Sequence, residues 1–145
     1  MTARGQIVDV ARGWIGTPYR HQASCRGAGA DCLGLLRGVW REVRGAEPEE
    51  IPPYTADWAE PSRDEVLWRA ACRHLRRKSP DRAAPGDVLL FRMRAGAVAK
   101  HLGIQARVGA RASFIHVYSG HGVVESALTA AWARRLVGRF EMPHR

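Results

Sequence analysis

The sequence predicts an α+β fold, with N-terminal helices packed on an antiparallel sheet of about five strands. Three observations carry that prediction. Apolar residues recur at helical spacing through the first half of the chain. Beyond residue 84 they fall instead in short runs with a period of two. Gly-containing or polar turns separate those runs. Helices first and consecutive strands second is the pattern of an antiparallel sheet covered by helices.

The elements follow in order. Ile7, Val10, Ala11 and Trp14 mark one face of a helix over 3–14, which Gly16 and Pro18 stop. Residues 16–30 read as loop. A second helix begins after Asp31, with Leu35, Leu36, Val39, Trp40 and Val43 as its apolar stripe and Gly45 just past its end. Pro and Glu enrich 46–61, a surface connection. Ser62 and Glu65 form a capping-box pair for a third helix running to Lys78, with Val66, Ala70 and Leu75 on its inner face. The turn at 84–87 leads into the strand VLLF, and further strands are expected at 101–108, 112–119, 122–128 and 134–142. No internal repeat or low-complexity linker divides the chain, so residues 1–145 read as one domain.

The chain has 145 residues, 46% of them hydrophobic, which is enough to bury a core without metal or disulfide staples. Five tryptophans accompany the charge, so intrinsic disorder is excluded. No apolar run is long enough to span a bilayer. The N-terminus has an Arg in its apolar stretch and does not read as a secretory signal, so synthesis in the cytoplasm is expected. The formal net charge is +9. Such a charge raises nucleic acid as a partner, but the basic residues are scattered, and no helix-turn-helix, zinc-finger or aromatic RNA-binding pattern goes with them. The one dense run, 73–78, reads as a solvated helix end. Dedicated nucleic-acid binding is therefore not expected.

Three cysteines, Cys25, Cys32 and Cys72, form neither a disulfide framework nor a zinc-ligand spacing. Cys32 stands out. Asp31 as N-cap places it in the first turn of a helix, where unpaired backbone N–H groups favour a thiolate and lower the thiol pKa. The same amides suit the oxyanion of an attacked carbonyl. The plain alternative is a buried cysteine packed on the core. A nucleophilic cysteine needs a histidine to take its proton. Of six histidines, His74 and His144 read as solvated, whereas His101 and His116 lie in strands whose alternation sets them apart from Leu102, Ile104, Ile115 and Val117. Both are expected to project from one sheet face toward the helix of Cys32.

Four segments in order, IGTPYR (15–20), DCLGLL (31–36), PGDVLLF (85–91) and KHLGI (100–104), followed by FIHV (114–117), resemble the NlpC/P60 family. These are papain-like cysteine peptidases that cut the stem peptides of bacterial peptidoglycan. The likeness spans about residues 11–126, and is greatest to the short enzymes of phages and phage-derived particles, carried near the tail tip. It implies a papain-like fold, Cys32 as nucleophile, His101 as general base and His116 as the residue orienting the imidazole. It further implies Tyr19 and Asp31 at the substrate, no cofactor or metal, and tail or baseplate proteins as partners. The bond implied is that between D-γ-glutamyl and the diamino acid.

Two departures stand out. Leu33 occupies the position after the nucleophile where the family usually has Ser. The interval between His101 and His116 is long, with 107–113 as extra turn, which keeps His121 open as the third residue. Cys25 lies outside the family pattern and reads as a free loop thiol. A non-catalytic tail component on the same scaffold, or an acyl transferase, stays open beside hydrolysis. Peptidoglycan lies outside the cytoplasm, so delivery by a phage-like particle is the expected route, with the basic surface serving the acidic wall or an acidic neighbour.

Overall fold

The computed structural model describes residues 3–48, 65–93, 99–118 and 120–143. Its first helix, α1 (Ala3–Arg12), is followed by a two-stranded ribbon, β1 (Ser24–Cys25) with β2 (Gly29–Ala30), inside the segment expected to be loop. Then come α2 (Cys32–Arg44), α3 (Val66–His74), and strands β3 (Arg76–Lys78), β4 (Val88–Arg92), β5 (Ala99–Arg107), β6 (Ser113–Tyr118) and β7 (Gly122–Ala127). A short α4 (Ala130–Ala133) precedes β8 (Leu136–Glu141). The main sheet is antiparallel, six-stranded, in the order β3-β8-β4-β5-β6-β7.

The sixth strand is the main departure from expectation. The sequence predicts Arg76–Lys78 as the end of the third helix, but that helix stops at His74 and the basic residues pair with β8 as an edge strand. Charged side chains suit an edge, because they discourage pairing with a further strand. The inner face of α3 also lies one residue along: Leu67 and Ala71 are buried, whereas Val66 and Ala70 are half-buried. His74 is half-buried rather than solvated. The Ser62 cap, His144 and most of the 46–61 connection lie outside the described residues.

One face of the sheet carries Ile104, Ala106, Ile115, Val117 and Val123 against Ile7, Val8, Ala11 and Trp14 of the N-terminal segment and Leu35 and Val39 of α2. Trp14 is 2% exposed and lodges over Gly38, where any side chain would collide with the indole. Its Nε1 donates to Glu42 at 2.7 Å. The opposite face carries Leu89, Phe91 and Phe114 beneath Leu128, Trp132 and Leu136. The two faces are covered by different elements, and that division positions everything that follows.

Candidate active site

The start of α2 is fixed from two directions. Asp31 caps it, accepting from Gly34 N at 2.8 Å, and its other oxygen accepts from Gln22 N at 2.7 Å. Gly34 has no Cβ because the Ala23 carbonyl presses on it, so the preceding loop lies directly on the helix. Ser24 donates to Gly34 O at 2.6 Å, and Arg41 binds both Ser24 O and Ser24 Oγ. The helix ends as expected at Gly45, whose φ of 92° lies in the left-handed region that glycine tolerates.

Cys32 is therefore held in the first turn. Its Sγ donates to the Lys100 carbonyl at 3.9 Å, and the backbone N–H of Leu102 points at the sulfur together with those of Leu33 and Cys32 itself. The thiol thus abuts β5 at the residues before and after His101. Tyr19 joins it: the residue bridges to Ala30, and its phenol is pushed to higher pKa by burial, then by nearby Asp31 and Cys32.

His101 and His116 meet. His101 Nε2 and His116 Nδ1 are 2.8 Å apart, and the rings are nearly perpendicular at 83°. Gly103 pairs with His116 across the strands, so the two imidazoles leave the same sheet face on adjacent strands. That face is the one carrying Phe91, Phe114 and Trp132, not the one on which the body of α2 packs. The expectation that both histidines face the helix is corrected accordingly: strand alternation turns them away from it, and the tip of α2 reaches the strand through Cys32. His121 is exposed and stacks on Tyr118, so His116 is the histidine that contacts His101.

Two residues without a local sequence signal complete the cluster. The Trp132 indole stacks on the His101 ring at 5.4 Å and 29°, and meets Phe91, Phe114 and His116 edge-on. Ser126 Oγ lies 2.8 Å from His116 Nε2. With Nε2 of His101 engaged by His116, Nδ1 is the nitrogen left for proton transfer.

The electrostatics reverse one expectation. Burial, followed by the Asp31 charge, pushes the Cys32 thiol up to about 12, and the backbone amides offset this only in part. Helix-terminal stabilisation loses because a buried sulfur has little water to share its charge. Burial likewise pushes His101 down to about 3, helped by His116 and Lys100, and His116 down to about 4. At rest the thiol and both imidazoles are neutral. Cys25 and Cys72 are free and exposed. Among the described residues no group of His, Cys, Asp and Glu could hold a metal ion.

Solved structures share this fold. The chain overlays the NlpC/p60 domain of the peptidoglycan hydrolase SagA with a TM-score of 0.65 at 23% identity, covering 96% of this chain and 98% of that one. A lipoprotein-like NLP/P60 family protein of Staphylococcus aureus gives 0.65 at 20% identity, and a family protein of Bacillus cereus 0.65 at 17%. The chain spans 42% and 39% of those two proteins while they cover 99% and 95% of it. No curated protein matches the chain. The NlpC/P60 family model matches residues 16–141, from the loop before the ribbon to the end of β8. The chain belongs to the NlpC/P60 family.

Proposed function

We propose that this protein is a cysteine peptidase that cleaves peptidoglycan stem peptides, with Cys32 as nucleophile and His101 as base. The observation that carries this reading is the meeting of His101 with His116 at 2.8 Å on a strand whose backbone, at Lys100 and Leu102, receives the Cys32 sulfur. In the cycle, the Cys32 proton passes to His101 Nδ1 as sulfur attacks the scissile carbonyl. His101 then returns it to the leaving amine, and water releases the acyl group with the same base. His116 holds the imidazole, and the N–H groups at the tip of α2 face the developing oxyanion. Tyr19 and Asp31 lie beside the sulfur, where Asp31 suits a substrate amine.

The bond between D-γ-glutamyl and the diamino acid is the proposed target, and a phage-like tail the proposed carrier across the envelope. Both rest on the likeness of the motifs, and the +9 charge fits attraction to an acidic wall. The experiment is digestion of purified sacculi. Wild type is expected to release fragments with a new diamino-acid amine by mass spectrometry, and Cys32→Ala none. Equal release by the variant would refute the assignment.

One observation favours the rival reading, a non-catalytic tail component. The thiol is buried, with its pKa pushed up to about 12. Alkylation separates the two. In the peptidase reading, substrate fragments accelerate labelling of Cys32; in the scaffold reading they leave it inert.

A further inference from the structure

We propose that Ser126 is a positioning residue that selects the proton arrangement in which His101 can act as a base; this rests on the peptidase reading above. His101, His116 and Ser126 form one continuous chain, with two contacts of 2.8 Å each. They lie on three consecutive strands, β5, β6 and β7, and Ser126 is the cross-strand partner of Phe114, two residues from His116 on the same face. Both imidazoles are neutral in the folded chain, so each carries one ring hydrogen.

Those contacts admit two arrangements. If Ser126 donates to His116 Nε2, then His116 bears its hydrogen on Nδ1 and gives it to His101 Nε2. His101 must then carry its own hydrogen on Nδ1, where no base remains for the thiol. If Ser126 accepts from His116 Nε2–H, every step reverses. His116 Nδ1 accepts from His101 Nε2–H, and His101 Nδ1 is bare. Only the second arrangement can take the Cys32 proton. After that transfer His101 holds hydrogens on both nitrogens, and its Nε2–H still donates to His116, so no second proton needs to move.

Ser126 is suited to accepting. His116 is its one partner among the described residues, and it is half-buried, so its hydroxyl hydrogen can face water while the oxygen accepts. The ring of His116 cannot swing away to another partner. It is 1% exposed and stacked 4.1 Å from Phe114, with Trp132 edge-on against it. The hydroxyl is thus the variable part of the chain, and its acceptor role determines where both hydrogens sit.

The test reads the ring nitrogens directly by NMR on the full chain near neutral pH. Wild type is expected to show hydrogen on Nε2 of both His101 and His116, with both Nδ1 atoms bare. Hydrogen on His101 Nδ1 would overturn the proposal. Ser126→Ala is expected to give mixed tautomers and about a tenfold lower kcat on muropeptides with KM unchanged, whereas Ser126→Thr keeps the wild-type pattern and stays within about twofold. An alanine variant with wild-type tautomers and wild-type kcat would also overturn it. The wild-type spectrum needs no turnover, so a protein that cleaves nothing would defeat the peptidase reading while the spectrum still decides the tautomers.

Discussion

Two buried polar networks share one face of the sheet, and they are built to opposite rules. Around Asp87, charges are paired. Arg139 reaches its carboxylate at 2.8 Å and Gln105 at 2.6 Å, while Lys78 and Arg4 approach at 3.0 and 3.3 Å and Ala84 N donates at 2.9 Å. Arg4 and Lys78 also face Glu141, so α1, β3 and β8 converge on one carboxylate, and β5 joins them through Gln105, which accepts from Arg139. Around His101, two residue pairs along the same strand from Gln105, every member is neutral and the wall is aromatic. A fully paired buried ion holds its surroundings in one geometry, because moving any partner leaves a bare charge. A neutral pair held by rings keeps its protons able to move. One network fastens the sheet, and the other is the one that the proposed chemistry uses.

The largest effect that would break this contrast is at Cys32, the proposed nucleophile. Cys32→Ala is expected to lower muropeptide release at least about a thousandfold while the melting temperature stays near wild type, because the residue is small and apolar in its packing. The next effect belongs to the other network. Asp87→Ala leaves Arg139 buried and unpaired, and is expected to cost about 3–5 kcal/mol in urea unfolding. The activity of the fraction that remains folded should change little. A stability loss below about 1 kcal/mol would mean that the ion cluster does not fasten the sheet.

Acid should separate the two networks further. The histidines have folded values of about 3 and about 4 against an ordinary value of 6.5. Above pH 6.5 both states are neutral there and the pair does not affect the pH dependence. Below it the unfolded chain binds protons that the folded chain refuses, so stability falls as pH drops toward about 4. At pH 5 this amounts to about 2 kcal/mol per histidine, readable as a falling melting temperature that His116→Gln makes shallower. A smaller effect is expected at Asp31. Asp31→Asn keeps the helix cap but removes the charge that raises the thiol, so alkylation of Cys32 in mild alkali should quicken.

Local chemistry explains what could be read in advance. Asp31 and Gly45 bounded α2 to the residue, because capping and the left-handed terminus act within one turn. The strand histidines were legible from alternation, which depends only on neighbours in sequence. The fate of Arg76–Lys78 was not, since a basic run suits a helix terminus and an edge strand equally and only pairing with β8 decides. Trp132 and Ser126 carried no signal, because each meets the histidines through the turn of the sheet rather than through sequence spacing. The thiol misled for a related reason: the helix tip is visible in sequence, but the depth at which β5 buries it is not.

The central claim is that Cys32 forms a covalent acyl intermediate. Rapid acid quench of wild type with a synthetic stem peptide, followed by peptide mapping, tests it most directly. The account predicts a mass increase equal to the acyl fragment on the peptide that contains Cys32, lost on longer incubation as the free acid appears. Cleavage without that adduct, an adduct on another residue, or no cleavage at all would contradict it.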